Sequence, residues 1–154
     1  MGFDLSGLNP NMSSPRPELP PLKKDLGDEE REMFAIYKEW EEENCGVYFR
    51  NNGWLWRPLW TFVARACDDI LTNTDITNGS FNNGYKISKT KANKIAKRLW
   101  GLIDSGQVKE YEERYAVRQQ SLDDSDRDKS YPFYEENVRR FANFCANSGG
   151  FTIC

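Results

Sequence analysis

The sequence predicts an α+β fold that is mostly helical, with about five helices packed around one core and a small sheet formed by the N- and C-terminal strands. Three observations lead to this prediction. Apolar residues recur at helical spacing in five segments, and strand-like alternation appears at both ends of the chain. A length of 154 residues suits one domain with one core. We therefore treat residues 1–154 as a single domain.

The two ends of the chain are expected to pair with each other. Phe3 and Leu5 alternate with Asp4, and residues 151–154 alternate in the same way. A lone short strand leaves its backbone N–H and C=O groups without partners. We therefore expect the termini to form one small sheet against which the helices pack.

A proline-rich surface arm, residues 9–27, follows the first strand. It shows hardly any apolar periodicity, and its prolines include Pro15, Pro17, Pro20 and Pro21. Proline-rich segments favour extended, polyproline-like backbone. We expect the arm to be mobile unless something binds it.

The first predicted helix covers residues 28–43, because acidic side chains at its start favour the helix dipole and apolar residues recur along one face. These apolar residues are Met33, Phe34, Ile36, Tyr37 and Trp40. The second predicted helix begins at Pro58, since proline is tolerated in a first helical turn, and runs to Thr72. The Asn-Gly pairs between residues 73 and 85 predict a loop or a short, irregular hairpin.

Three more helices follow. The third begins after Ser88, a good N-cap, and ends before Gly106, a C-cap candidate. The fourth runs from Gln107 to the acidic residues after 122, and the fifth from the Tyr131-Pro132-Phe133 segment to Ser148. Their spacing predicts these buried residues: Ala92, Ile95, Ala96, Leu99, Leu102, Ile103, Val108, Tyr111, Tyr115, Leu122, Val138, Phe141, Ala142, Phe144 and Cys145.

Composition narrows the functional classes. A mean hydropathy of -0.78 and 29% charged residues argue against a membrane protein, and no secretory signal is visible. We therefore expect a soluble protein in the cytoplasm. The chain has no histidine, which removes the usual general base and the commonest zinc ligand. The four cysteines show no metal-type spacing and are expected to be reduced thiols. We expect no catalytic residues, metal or cofactor.

The densest group of aromatic and basic residues is residues 46–60, which hold three of the five tryptophans. It also contains Asn52-Gly53, a pair typical of turns with positive φ. The candidate ligand-binding residues are Tyr48, Arg50, Asn52, Trp54, Trp56 and Arg57. Aromatic rings would stack on a base while guanidinium groups bind phosphate or carboxylate. The alternative is that the tryptophans are core and the arginines cover them.

A second candidate surface is the lysine stripe, which comprises Lys91, Lys94, Lys97 and Arg98 on the third predicted helix. It lies opposite the apolar face and would track a phosphate backbone, with marked salt dependence. The alternative is an ordinary solvated face, with the acidic first helix lying across it.

Two groups of acidic residues are candidate metal sites. Asp124, Asp126, Asp128 and Glu135 have calcium-loop spacing, but Lys129 stands where such a loop needs glycine, so a solvated linker is the expectation. The second group would hold magnesium in a metal-assisted hydrolase and comprises Asp68, Asp69 and Asp75.

Three motifs together resemble a family of small bacteriophage proteins to which no activity is assigned. They are MGFDLSGLNP at residues 1–10, YFRNN with WRPLW within 48–60, and YPF, ENV and SGGFTIC within 131–154. Some members of that family carry a Cys-x-x-Cys knuckle before the Tyr-Pro-Phe segment. Here residues 123–128 are acidic, so the resemblance does not imply zinc binding.

The resemblance implies a phage accessory protein in the cytoplasm of the bacterial host cell. Such proteins mostly act by binding, often to host defence or transcription machinery. Together with the missing histidine, this favours a non-enzymatic protein that binds a host protein or a nucleotide-type ligand, with the countering of host defence as one role. The alternatives are a nucleic-acid-binding module using the lysine stripe, a metal-assisted hydrolase, and a virion-associated component. The sequence leaves the oligomeric state open.

Overall fold

A computed structural model describes residues 1–154 and contains six α-helices, one short 3₁₀ helix and four strands. The strands are β1 (Gly2–Gly7), β2 (Tyr48–Asn52), β3 (Tyr85–Ile87) and β4 (Phe151–Ile153). The helices are α1 (Asp28–Glu43), α2 (Gly53–Ala66), α3 (Asn73–Asn78), α4 (Lys89–Asp104), α5 (Gln107–Ser121) and α6 (Glu135–Asn147), with the 3₁₀ helix at Arg127–Ser130. The predicted α+β, mostly helical class is confirmed.

The strands form one antiparallel sheet in the order β2-β1-β4-β3. Leu5 of β1 lies opposite Ile153 of β4, so the predicted pairing of the two termini is confirmed. The sequence did not predict β2 and β3, which add one strand at each edge. The two chain ends therefore occupy the centre of the sheet.

One face of the sheet is buried against the helices. Phe3 and Leu5 on β1 and Phe49 on β2 point into the core, as strand alternation requires. The polar exception is Asn51, whose amide exchanges two hydrogen bonds with the amide of Asn137 on α6, at 3.0 and 2.7 Å. Because both amides are paired, this buried contact costs little and joins the sheet to α6.

Helix α2 begins at Gly53 rather than at the predicted Pro58. The Asn52 side chain accepts a hydrogen bond from the Leu55 N–H at 2.9 Å and caps the helix. Asn52-Gly53 is therefore a helix start, and Gly53 does not have positive φ. Asparagine is common both in turns and at N-caps, which is why the pair misled the prediction.

The segment after α2 is more regular than the sequence suggested. Helix α2 ends at Ala66, before the predicted end at Thr72. Thr72 and Asp75 instead form a capping box that starts α3 within the predicted loop. The Thr-x-x-Asp spacing resembles the known capping signal, although Asp replaces the usual Glu or Gln.

The other helices follow their predicted bounds closely. Ser88 caps α4 by accepting a hydrogen bond from the Lys91 N–H, and Gly106 has a φ of 79° just beyond its end. Val138 and Phe141 on α6 are buried as predicted. Four residues predicted to be buried are only half-buried: Leu102, Tyr111, Tyr115 and Leu122. Helices α4 and α6 pack along each other and supply much of the core.

Helix α1 lies outside the core, contrary to its predicted apolar face. Trp40 is its one buried residue, and Ile36 is 51% exposed. The Trp40 indole donates a hydrogen bond to the Ser14 carbonyl at 3.1 Å, and the Asn44 side chain accepts one from the Ser13 N–H at 2.7 Å. Helix α1 therefore packs on the proline-rich arm, whose first part is held to the fold by these contacts.

Two further features concern the chain as a whole. All four cysteines are free: Cys67 and Cys145 are buried, Cys45 is half-buried and Cys154 is exposed. No helix has the length and apolar character needed to cross a lipid bilayer.

Replacing Gly101 with alanine should raise the free energy of unfolding by about 0.5 to 1 kcal/mol, because glycine in a helix interior is entropically costly. Gly101 lies within α4, and apart from its chain neighbours and its own helix backbone no atom lies within 4 Å of where its Cβ would be. Urea unfolding measures the change. Gly46→Ala is the contrasting variant, since its Cβ would lie 2.1 Å from the Asn147 carbonyl oxygen and should lower stability by about 1 to 3 kcal/mol. A destabilised Gly101→Ala variant would contradict the prediction.

Candidate functional site

The candidate ligand-binding residues within segment 46–60 do not lie on one surface. Tyr48 and Arg50 lie on β2, where both contact Asp4 of β1: the Tyr48 hydroxyl donates to its carboxylate, and the Arg50 Nε lies 3.5 Å from Oδ1. Burial, with the Asp4 hydrogen bond, raises the pKa of Tyr48 to about 12. Tyr48 thus stays neutral at physiological pH. The two residues line a groove of about 610 Å³ beside Phe34 and Tyr37 of α1, away from Trp54 and Arg57.

Trp56 is a core residue, which corrects its interpretation as a stacking platform. Its side chain has no solvent exposure, and its ring packs at 5.4 Å from those of Phe3 and Trp60. Its indole Nε1 donates to the Gly79 carbonyl at 2.8 Å. No face of the ring is free for a ligand. Asn52 is likewise committed, as the cap of α2.

Trp54 and Arg57 remain at the surface and meet Tyr131. Trp54 is 52% exposed, and its ring centre lies 5.1 Å from that of Tyr131. Arg57 Nη1 donates to the Tyr131 hydroxyl at 2.7 Å, and its guanidinium carbon lies 5.5 Å from the ring centre. The sequence did not single out Tyr131 as a site residue, because it lies 74 positions away from Arg57.

Beside this contact lies a cleft of about 520 Å³ between α2, α5 and the 3₁₀ helix. We call it the arginine cleft, after Arg57, Arg65 and Arg118, which line it. None of the protein's ion pairs involves any of these three arginines. Asp128 is the one acidic residue of the lining. The lining therefore carries three positive charges and one negative charge, and none of the three arginines forms an ion pair.

The positions of these arginines on two helices explain why all three line one cleft. Arg57, Thr61 and Arg65 are spaced four residues apart on α2, so they lie along one side of the helix. Arg118 comes from α5 and faces them across the cleft. Arg65 and Arg118 were not among the predicted site residues. Their signal in the sequence is weak, since single arginines on amphipathic helices are common.

On the side of the cleft facing α2, tyrosine rings line the surface and hydrogen bonds hold them in place. Tyr115 donates from its hydroxyl to the Tyr131 carbonyl at 2.6 Å, and Gln119 donates to the same oxygen at 2.8 Å. Burial raises the pKa of Tyr115, so its hydroxyl remains protonated and keeps this contact. Tyr111 and Tyr115 also pack on Phe133. The segment carrying Tyr131 is therefore held firmly to α5.

A smaller cavity of about 190 Å³, here called the side pocket, adjoins the arginine cleft. Its lining comprises Met1, Phe3, Gly53, Trp54, Arg57 and Tyr131. Arg57 and Tyr131 line both cavities, so their hydrogen-bonded pair forms the boundary between them.

The lysine stripe is partly neutralised. Lys91 forms an ion pair with the buried Asp75, and Arg98 binds both oxygens of Asp69 at 2.8 Å. The acids therefore come from the segment after α2, and not from the first helix as suggested. Lys94 and Lys97 remain exposed and without ion-pair partners. Two of the four positive side chains predicted to bind phosphate are thus paired with carboxylates of the protein itself.

The acidic groups do not converge on a metal position. Asp75 is tied to Lys91 and Asp69 to Arg98, and no three acidic or thiol side chains meet. In the calcium-type loop, Asp126 accepts from the Asp128 N–H at 2.9 Å and caps the 3₁₀ helix. The geometry therefore supports neither the magnesium nor the calcium hypothesis.

The arginine cleft with its side pocket is thus the site at which the structure gathers unpartnered charge and exposed aromatic surface. Trp54 and Arg57 are the predicted residues that it presents at the surface, whereas Trp56 lies buried behind the wall of the cleft. No family model, curated protein or solved structure matches the chain. The resemblance to small phage proteins stays a prediction, and function has to be argued from the geometry of the cleft.

Proposed function

We propose that this protein is a non-enzymatic accessory protein of a bacteriophage that binds a nucleotide-type ligand in the arginine cleft. The observation that carries the proposal is the set of three arginines, Arg57, Arg65 and Arg118, that line one cavity without a carboxylate partner. A bound anion neutralises these positive charges and accepts charge-assisted hydrogen bonds from the guanidinium groups.

The size of the cavity favours a small molecule over the predicted alternative of a host protein. About 520 Å³ falls within the range of roughly 300 to 1,000 Å³ that is typical of small-molecule sites. A stable protein partner instead needs about 800 Å² of surface on each side. Aromatic side chains beside arginines are a combination that binds bases and phosphates together.

The polar groups of the cleft support binding without turnover. Asp128 is its one carboxylate, and the hydroxyl of Ser80 donates to the Ile76 carbonyl, not to an acid. General base catalysis needs a nucleophile within hydrogen-bond reach of a base. A protein that holds a nucleotide without changing it withdraws that nucleotide from solution. In the cytoplasm of a phage-infected cell, this would counter a host defence system that depends on the nucleotide.

Arg118→Gln is expected to weaken nucleotide binding about tenfold or more, the usual loss when a charged hydrogen bond to an anion is removed. Equilibrium dialysis of the purified protein with each of ATP, GTP, CTP and UTP measures the dissociation constants. Arg114→Gln is the matched control, because Arg114 is exposed on the same helix and lies outside the cleft.

The proposal fails if the wild-type protein binds none of the four nucleotides, or if the two arginine variants weaken binding equally. Chromatography of the recovered ligand tests the non-enzymatic part. Unchanged nucleotide after prolonged incubation is expected, and a reaction product would show that the protein is an enzyme.

A further inference from the structure

We infer that the ligand seats its base in the side pocket and extends at least two phosphate groups into the arginine cleft, an inference that rests on the proposed function. This inference follows from the division of the site into two cavities, the side pocket and the arginine cleft. The side pocket and the cleft share Arg57 and Tyr131, so a ligand that fills both passes this pair. The two compartments differ in volume, chemistry and charge.

The side pocket suits a single ring system. Its volume of about 190 Å³ is below the roughly 300 Å³ at which sites for whole drug-like ligands begin. Phe3 and Tyr131 contribute aromatic wall, and Trp54 leaves half of its side chain exposed beside them. A planar base placed against Trp54 would cover this apolar surface and gain stacking energy.

The arginine cleft is a poorer place for the base. The rings of Tyr111 and Tyr115 lie 4.7 and 5.7 Å from that of Phe133, and Tyr111 lies 4.8 Å from Phe62. Tyr111 and Tyr115 are therefore already packed against other aromatic rings of the fold. The cleft thus offers charge, and the side pocket offers ring surface.

The distance between Arg57 and Arg65 along α2 determines how many phosphate groups a ligand needs in order to reach both. Arg57 and Arg65 are eight residues apart on α2, which separates their Cα atoms by about 12 Å along the helix. Side chains on one helix lean in the same direction, so the two arginine side chains enter the cleft from different turns of α2. Arg57 is also held at the boundary by Tyr131. A first phosphate beside Arg57 therefore leaves Arg65 for a second or third phosphate further along the cleft.

The test compares adenosine, AMP, ADP, ATP and inorganic triphosphate, and the matching guanosine compounds, by isothermal titration calorimetry. Affinity should rise at least tenfold from the monophosphate to the triphosphate of the base that binds. Arg65→Gln should abolish this gain and leave the monophosphate almost unchanged. Trp54→Leu should weaken every nucleotide about fivefold or more and leave inorganic triphosphate unaffected.

The outcomes separate this inference from the proposed function. Equal affinity for mono- and triphosphate, or equal weakening of both by Arg65→Gln, overturns the phosphate count. Trp54→Leu binding nucleotides as the wild type does overturns the position of the base. In either case the proposed function stands if Arg118→Gln still weakens binding and Arg114→Gln does not. Failure of every compound in this panel, and of CTP and UTP, to bind the wild-type protein removes both.

Discussion

Replacing Trp56 with alanine is expected to lower the free energy of unfolding by about 3 to 5 kcal/mol, the usual loss when a large aromatic side chain leaves a core. Trp56 is fully buried between Phe3 and Trp60 and meets the edge of Phe141 at 5.7 Å. Its removal also leaves the Gly79 carbonyl without its indole donor. Because domains of this size are stable by only about 5 to 15 kcal/mol, the variant should lose a large fraction of its total stability.

Trp54→Ala is the matched control, two positions earlier on the same helix. Trp54 is 52% exposed, so its loss should cost less than about 1 kcal/mol. Far-ultraviolet circular dichroism during urea unfolding measures both variants without depending on tryptophan fluorescence. Trp56→Phe should fall between them, because it keeps a ring but loses the hydrogen bond to Gly79. Similar losses for Trp54→Ala and Trp56→Ala would contradict the assignment of Trp56 to the core.

Asp75→Asn is expected to lower the free energy of unfolding by about 3 kcal/mol at pH 7, as is usual when one partner of a buried ion pair is removed. Asp75 is 2% exposed and accepts hydrogen bonds from Lys91, from the Tyr85 hydroxyl at 2.9 Å, and from Thr72. These contacts join the start of α3 to β3 and α4. The amide of asparagine carries no charge for Lys91 and replaces one acceptor oxygen with a donor.

The same carboxylate makes stability depend on pH in a defined window. Burial by itself would raise the pKa of Asp75, but the bonds from Lys91, Thr72 and Tyr85 outweigh it and lower the pKa from 3.8 to about 2. A lowered pKa stabilises the folded state above pH 3.8, and the contribution is lost as the pH falls through 2. It amounts to about 2 kcal/mol.

Urea midpoints of the wild type and Asp75→Asn at several pH values between 7 and 2 test this directly. The difference in stability should be constant above pH 4 and shrink toward pH 2, since the wild-type carboxyl then becomes protonated. Asp69→Asn is the control, because its ion pair with Arg98 is largely exposed and should matter much less. A difference that does not change with pH would show that Asp75 does not act through its charge.

Those parts of the fold that depend on local signals were predictable from the sequence. Helix α4 is the clearest case, since Ser88 begins it, apolar residues mark its inner face, and Gly106 follows its end. The pairing of the termini was also predictable, because two short alternating segments each needed a partner for their backbone groups. In contrast, α3 was missed even though Thr72 and Asp75 carried its capping signal.

The candidate site was predicted only in part. Trp54 and Arg57 belong to it, but Tyr48 and Arg50 lie on β2 beside Asp4, and Trp56 fills the core. An aromatic-rich segment read along the chain cannot show which rings face outward, because that depends on where the strand ends and the helix begins. Because α2 begins at Gly53, the segment is divided into residues that lie on the strand and residues that lie on the helix.

By itself, then, the sequence determined the fold class, most helix bounds and the pairing of the two ends. The reason is that hydrophobic periodicity, helix caps and the unpaired backbone groups of a short strand can each be recognised within a few neighbouring residues. Only the tertiary structure decided which charged groups are neutralised and which remain free. Lys91 and Arg98 pair with carboxylates on the segment after α2, whereas Arg57, Arg65 and Arg118 line a cleft without forming ion pairs. The physical reason is that such charge pairing depends on distances in space between helices far apart in the chain, and side chains contact each other only after the core has set those distances.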